Sequence, residues 1–476
     1  MSVETHNSEE GLKALMNSDK KVYEPAGKGH IHLDGFETFH NSQLDALKEE
    51  DVEIYDLVAR EYQRQRSTLQ LIAAENQCSK AVLAALGSVV QNKTTEGFPG
   101  ARFHGGSGVV DEIETLAVSR AIETFRARYG NVQPHSGTAA NQIVLAAMLE
   151  RDDRILSLGL DQGGHLSHGA KVSFSGKFFN VEHYYVDRES FLLDYSAIRE
   201  QAVRIKPKLI ICGATAYARA IDFAKFREIA DEAGAYLLAD ISHISGLVIA
   251  GAHQSPIDYA HFTTTSTYKP GGPRGGLILM GRDYDRKTQV GNKETQLWKH
   301  IQKMTFPGVQ GTPYLNHIAA KAVFFKETLS KEYRSRQFRI IANAQRLAEN
   351  LVAMGYDVLT GGTDNHMVLI NVANSRDGLT GVVAQKCLED CGIIVNMNRL
   401  PYDTKGQAVA SGIRLGTPVV TKNGMGVEQM DIISEMVDKV LKTVRIINDT
   451  EYEIDENFCN EMTGRVSDLC EKFVMY

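Results

Sequence analysis

Cysteine is scarce in this chain: six residues among 476, at positions 78, 212, 387, 391, 459 and 470. So thin a scatter excludes the disulfide framework of a small secreted scaffold and implies reduced thiols. Cys387 and Cys391, four apart in AQKCLEDCG, would share one helix face, but no second Cys/His pair at ligand spacing accompanies them. They read as core residues, and no metal is expected. Positive charge is not in excess either: 52 Lys and Arg stand against 59 Asp and Glu, a net charge of −7, which removes the electrostatic footprint of a nucleic-acid binder. No run approaches the roughly 20 apolar residues of a membrane span; YLLADISHISGLVIAG is broken by Asp240, His243 and Gly246. The opening MSVETHNSEE is polar and acidic, unlike a secretory leader, so a soluble cytoplasmic protein is expected. Eleven prolines and one tryptophan give no sign of a fibrous or disordered chain.

What is present is enough apolar material, 43% of the residues, for a large core and more than one domain. Residues 1–60 read as an N-terminal arm, polar and without sustained periodicity up to about residue 45, and a first helix from about Asp51. Residues 61–325 read as a large domain. Within it RILSLG, FFNVEHYYV, PKLIICGA, AYLLAD, HFTTTST and GGLILMG are candidate strands, and FAKFREIADEAG is a helix stopped by Gly234. Such alternation predicts an α/β fold on a mainly parallel sheet, with ligands bound beyond the carboxyl ends of the strands. Residues 326–476 read as a smaller α/β domain, with a long helical region, strand-like HMVLINV and GIIVNMN, and a helix over about 427–446.

Four features fall where that rule places a ligand. AYLLAD ends in Asp240, with His243 three residues on. A strand-end carboxylate can keep a pyridinium nitrogen protonated, although strand-end aspartates serve more often as helix caps or ion-pair partners. HFTTTST runs into Tyr268, Lys269 and Pro270 and then GGPRGG, a loop that can present a lysine amine to an aldehyde cofactor where a solvated lysine is the ordinary case. Ser136, Gly137 and Thr138 precede an apolar helical stretch, as a phosphate cradle or a plain helix cap would require. In DQGGHLSHG, His165 follows a glycine turn, where its ring can lie against an aromatic cofactor. His165 and His168 as metal ligands are the rival reading, with no carboxylate or cysteine partner at suitable spacing.

The ordered set SGT, GGH, DxxH, YK and GPRGG resembles the serine hydroxymethyltransferase family, of the aspartate aminotransferase-like fold type I. Further matches are LIAAEN, NKTTEGFPGARFHGG, GKFFNV, FPGVQGTP, GGTDNH, VNMNRLP and SGIRLGTP, covering the chain from residue 71 to its end. The resemblance implies pyridoxal 5′-phosphate carried on Lys269, with Asp240 facing the ring nitrogen, His243 packed nearby and His165 on the ring. Ser136, Gly137, Thr138, Thr215 and Gly311 complete the implied cofactor set. Arg414 would grip the substrate carboxylate, which suits a guanidinium fork. Glu96 would handle protons at the substrate hydroxyl, with Thr94, Ala74 and Tyr268 also at the substrate. Leu160, Gly164, Leu166 and Asn398 match folate-pocket positions, so tetrahydrofolate is the implied co-substrate. In the family the Glu96 loop reaches the neighbouring subunit, which implies a homodimer with shared sites, or a tetramer of such dimers.

This chain also departs from the family pattern. Thr94 stands where a tyrosine is usual, Ala74 replaces serine, and Phe103 and His104 replace paired tyrosines. Tyr268 replaces histidine, Pro270 replaces threonine in a loop one residue shorter than usual, and Thr312 replaces glycine. The implied reaction is serine–glycine interconversion through a hydroxymethyl unit. The departures keep two relatives open, a folate-independent threonine transaldolase or aldolase and an α-methylserine hydroxymethyltransferase. A catalytically silent binding subunit is disfavoured by Lys269, Asp240, His165, Glu96 and Arg414 all being present.

Overall fold

A strand buried on both faces needs side chains that tolerate enclosure at every position. Leu209–Cys212 and Gly276–Met280 meet that condition with apolar residues throughout, whereas Phe262–Ser266 is equally buried with three threonines whose hydroxyls need partners. In the computed structural model, which describes residues 36–474, these strands lie at the centre of a seven-stranded sheet. Its order is Tyr129–Asn131, Gly276–Met280, Phe262–Ser266, Tyr236–Asp240, Leu209–Cys212, Arg154–Leu158, Asn180–Tyr184. Gly276–Met280 runs antiparallel to both neighbours, and the other pairings are parallel. The expected α/β class with a mainly parallel sheet is what the chain adopts. The sequence reading missed Tyr129–Asn131, because three residues centred on a glycine carry no periodic signal.

Helices cover both faces of this sheet. Phe223–Ala233 shows how the sequence makes one: Asp222 Oδ1 accepts from Ala224 N at 3.0 Å and Lys225 N at 3.1 Å, and Gly234, at φ 70°, ends it. Phe223, Phe226, Ile229 and Ala230 form its buried stripe. Each large apolar side chain so buried contributes roughly 1.5–3 kcal/mol relative to exposure. The region after Pro313, read as one long helical stretch, is two helices, Leu315–Thr328 and Lys331–Ala353. Ser330 breaks it by capping the second, its Oγ accepting from Tyr333 N at 3.1 Å.

A second core surrounds the four-stranded antiparallel sheet Asp357–Val358, Met367–Asn371, Gly412–Gly416, Asn396–Asn398. Leu347, Val368, Ile413, Ile433 and Val437 are among its fully enclosed residues, as are Cys387 and Cys391. Leu69–Gln70 pairs in parallel with Ile393–Ile394 and ties the N-terminal segment to this core. The six cysteines are free thiols.

Residues 1–35 of the expected arm lie outside the described residues. Phe36–Asn41 and Gln43–Glu50 are helical and bury none of their residues. An anchor distant in sequence supplies what periodicity did not: Gln43 Nε2 donates to Gly87 O at 2.9 Å. Asp51 then caps the helix Val52–Ser67, as its spacing suggested. No helix among the described residues is long and apolar enough to cross a membrane.

The strand ends converge at glycines. Gly213 has φ 139°, and a Cβ there would lie 2.1 Å from the Asp240 carbonyl oxygen. Gly213→Ala is expected to lower the thermal midpoint by roughly 2–4 °C, in line with roughly 2 kcal/mol of strain. An unchanged midpoint would show that this close approach does not fix the Asp240 strand end.

Candidate active site

Asp240 ends its strand with only 8% of its surface exposed, yet its carboxylate has four donors. Oδ1 accepts from Ser242 N at 3.0 Å and Ser242 Oγ at 2.6 Å. Oδ2 accepts from Asn141 Nδ2 at 2.8 Å and from His168 Nε2 at 3.0 Å. Burial alone would raise its pKa, but the His168 hydrogen bond and charge, with His165 and Ser242 behind them, hold it well below the usual carboxylate range. Asn141 is itself fixed, donating to Ser167 Oγ at 2.9 Å and accepting from Thr264 Oγ1 at 2.6 Å. Thr264 of the buried strand thus supports the carboxylate.

The sequence reading found no carboxylate beside the two histidines. The fold supplies one: His165, His168 and Asp240 have ligand atoms within 4.8 Å of one another, the one such grouping among the described residues. Its imidazole nitrogens are largely engaged within the protein. His168 uses Nε2 on Asp240, and its Nδ1 lies 3.4 Å from His165 N. His165 Nδ1 accepts from Ser167 N at 3.2 Å. Burial pushes the His165 imidazole down to about 4, with the His168 charge adding to it, so a neutral ring faces the cavity.

That cavity, of about 250 Å³, collects the cofactor set inferred from the sequence, apart from Gly311: Ser136, Gly137, Thr138, His165, Thr215, Asp240, His243 and Lys269, with Tyr268 beside them. Ser136 caps the helix Gly137–Met148 by accepting from Ala139 N at 3.0 Å. A Cβ at Gly137 would lie 3.2 Å from Ser266 N, so the turn sits close against the neighbouring strand end. Lys269 Nζ donates to Ser266 Oγ at 3.3 Å, and Asn76 Nδ2 holds the Lys269 carbonyl at 3.0 Å. Tyr268 lies between two cations, with Lys269 Nζ 4.8 Å and the Arg274 guanidinium 4.1 Å from its ring centre. His135, Ala214, Ser242 and Arg274 also line the cavity, and the sequence reading gave none of them a role. For His135 the signal was adjacency to the Ser136 turn.

The remaining candidates lie outside the cavity lining. Arg414, 6% exposed, donates from Nη1 to Thr215 O at 2.5 Å and from Nε to Asn396 Oδ1 at 3.2 Å, and makes no ion pair among the described residues. Burial pushes it down to about 10. Ala74 follows Ala73, which packs on Gly416 at the end of the Arg414 strand. Thr94 and Glu96 gather on a separate rim with Gly311 and Thr312: Thr94 Oγ1 is 3.2 Å from Thr312 Oγ1, and a Cβ on Gly311 would lie 3.5 Å from Glu96 Oε1. Leu160 and Leu166 are exposed at 40% and 47%. Gly164 is packed against the Leu158 carbonyl, and Asn398 Nδ2 donates to Arg399 O at 2.7 Å.

These residues fit pyridoxal 5′-phosphate. An ionised buried carboxylate lacks a Lys or Arg partner among the described residues, His243 Nδ1 is buried without a protein partner, and a lysine amine and a helix start share one cavity. The fold and site together define a pyridoxal-phosphate-dependent enzyme on the aspartate aminotransferase-like architecture. The family model described as serine hydroxymethyltransferase matches residues 47–437. The chain is 47% identical over 391 residues to a protein named serine hydroxymethyltransferase from Borrelia recurrentis (strain A1), covering 82% of this chain and 93% of the relative. It is 46% identical over the same length and shares to one of that name from Borrelia duttonii (strain Ly). The chain belongs to the serine hydroxymethyltransferase family and is a pyridoxal-phosphate-dependent transferase.

Burial keeps His165, His243 and His366 neutral, with His165 held to about 4 and His366 to about 3 against an ordinary value of 6.5. The unfolded chain therefore binds more protons than the native one between about pH 4 and 6.5, so stability is complete above that window and falls as pH drops through it. The thermal midpoint of the cofactor-free protein should decline from about pH 6.5 towards 4. A midpoint that rises on acidification over that range would contradict the neutral imidazoles.

Proposed function

We propose that this chain interconverts serine and glycine with tetrahydrofolate as the one-carbon carrier. The observation that carries the reading is the pairing of two incomplete charges. Asp240 is an anion with only imidazole beside it and no Lys or Arg partner among the described residues, and Arg414 is a buried cation with no anion among them, hydrogen-bonded to Thr215 on the cavity wall. A pyridinium answers the first and an amino-acid carboxylate the second.

When bound, pyridoxal phosphate supplies an aldehyde that condenses with amines and a protonated ring that accepts electron density. Lys269 holds it through its amine. Ser136, Gly137 and Thr138 receive the phosphate, with Thr215 and Gly311 as further contacts. Asp240 keeps the ring nitrogen protonated, because its carboxylate stays ionised inside the protein. His165, whose neutral ring lines the cavity, would lie against the bound cofactor, with His243 nearby. Arg414 binds the substrate carboxylate as a planar fork. Glu96 moves the proton at the substrate hydroxyl, Thr94, Ala74 and Tyr268 shape the pocket around it, and Leu160, Gly164, Leu166 and Asn398 receive the folate.

Glu96, Thr94 and Gly311 stand apart from their own chain's cavity, which supports service to a neighbouring subunit in a homodimer. The helix Val52–Ser67 buries none of its residues, and Phe103 and Val109 are 71% and 70% exposed, so apolar surface is available for that contact. A cytoplasmic location belongs to the same proposal and is supported by six free thiols. The relatives named above support the serine reading over threonine transaldolase, α-methylserine transfer or a silent binding subunit.

Purified protein supplied with pyridoxal phosphate, serine and tetrahydrofolate should form glycine and show a visible absorption band. Lys269→Ala should lose both the band and turnover. A wild type that binds the cofactor but yields no glycine from serine would overturn the reaction. Arg414→Lys keeps the charge and loses the fork, so glycine binding should weaken by about 2–5 kcal/mol, measured as a dissociation constant. Unaltered affinity would place the carboxylate elsewhere.

A further inference from the structure

Lys321 lies in the helix Leu315–Thr328, beneath the site rather than in it, and is 2% exposed. It makes no ion pair among the described residues; its partners are backbone carbonyls. Nζ donates to Val132 O at 2.6 Å, Gly276 O at 2.8 Å and Pro134 O at 3.3 Å. A protonated lysine amine has three donors for three acceptors, whereas the neutral amine has two. Burial pushes Lys321 down to about 7, with the Glu114 charge pulling the other way.

The three carbonyls belong to two segments that the site needs side by side. Val132 and Pro134 immediately precede His135 and Ser136, where the phosphate turn begins. Gly276 immediately follows the loop that carries Lys269, Arg274 and Gly275. Gly276 N donates to Pro134 O at 2.9 Å and joins the two directly. The segments approach too closely for side chains: a Cβ at Gly276 would lie 2.1 Å from Ser136 O, and one at Gly275 would lie 2.4 Å from Lys321 Cε. Close approach leaves carbonyls facing one another across a dry gap, and an unpaired buried carbonyl is costly. An apolar side chain of equal size would fill that gap without satisfying them.

We propose that Lys321 is a positioning residue for the cofactor site, its ammonium clamping the Ser136–Thr138 phosphate turn to the Lys269 loop so that both ends of the cofactor are met at once. The clamp deepens the reading of the site given above and rests on it. Loss of the clamp is felt first in cofactor affinity, because substrate contacts such as Arg414 lie on another sheet.

The test compares wild type, Lys321→Met and Lys321→Gln, each stripped of cofactor and titrated with pyridoxal phosphate by its visible band. Kinetics with serine at saturating cofactor and amide exchange at residues 136–139 complete the comparison. Lys321→Met should weaken cofactor binding by about tenfold or more and speed exchange at the turn, since the Val132 and Gly276 carbonyls lose the lysine donor and Pro134 O keeps only Gly276 N. Lys321→Gln, with two donors, should fall between it and wild type. The KM for serine should stay within about twofold in both variants, because no substrate contact is touched. A folded Lys321→Met that binds pyridoxal phosphate within about twofold of wild type overturns the proposal. If that variant does not fold, wild-type affinity in Lys321→Gln overturns it equally. A wild type that takes up no pyridoxal phosphate overturns the site reading and the clamp with it. Wild-type uptake with unaltered variants overturns the clamp alone.

Discussion

The architecture depends on keeping one carboxylate charged inside the protein. Transferring an isolated carboxylate from water into a low-dielectric interior is prohibitive, and most proteins answer by pairing it or protonating it. Here Asp240 is kept ionised by four donors drawn from three stretches of chain: Asn141 on a helix, His168 at the end of the single 3-10 turn Leu166–His168 and Ser242 just past the strand end. Each donor is held in turn, Asn141 by Thr264, and the Asp240 strand end by the approach of Gly213. Buried Thr264 of the central sheet, awkward for a core, is explained by this need.

The small antiparallel sheet adds the opposite charge. Arg414 sits in a buried strand, and its hydrogen bonds go to a carbonyl and an amide side chain rather than to an acid. A protein interior holding one anion and one cation that do not neutralise each other is poised for a ligand that carries both complements. In the proposed reaction a protonated aromatic nitrogen and an α-carboxylate are those complements, and they arrive on two different molecules. The separation of the charges therefore accounts for a two-component site in a way that neither charge does alone.

Much of this was legible in the sequence wherever function coincided with a strand end or a helix start. Asp240 after AYLLA, Lys269 after HFTTTSTY and Ser136 before an apolar helix each announced a position, and the chain's pattern placed them on one edge of a sheet. What stayed hidden was contact across long separations. His168 meets Asp240 across 72 residues, and no local spacing encodes it. Lys321 reads as one more cation in a helix, because its three acceptors are backbone groups with no residue signature. Tyr129–Asn131 is too short to show a period. The Thr94–Glu96 rim looked like part of the site through family resemblance, yet in the single chain it groups with Gly311 and Thr312 instead.

The glycines around the site also bear on how this enzyme can change over evolutionary time. At 213 and 276 a Cβ would meet backbone at 2.1 Å, so no larger residue enters without moving a strand end, and at 275 it would meet the Lys321 stem at 2.4 Å. These positions are closed to mutation by geometry and not by their chemistry. Variation is then channelled to positions without such close approach, such as 74, 94, 268 and 312. Those four are among the positions at which the sequence departs from the family pattern it resembles, along with 103, 104 and 270, while the three glycines are not among them.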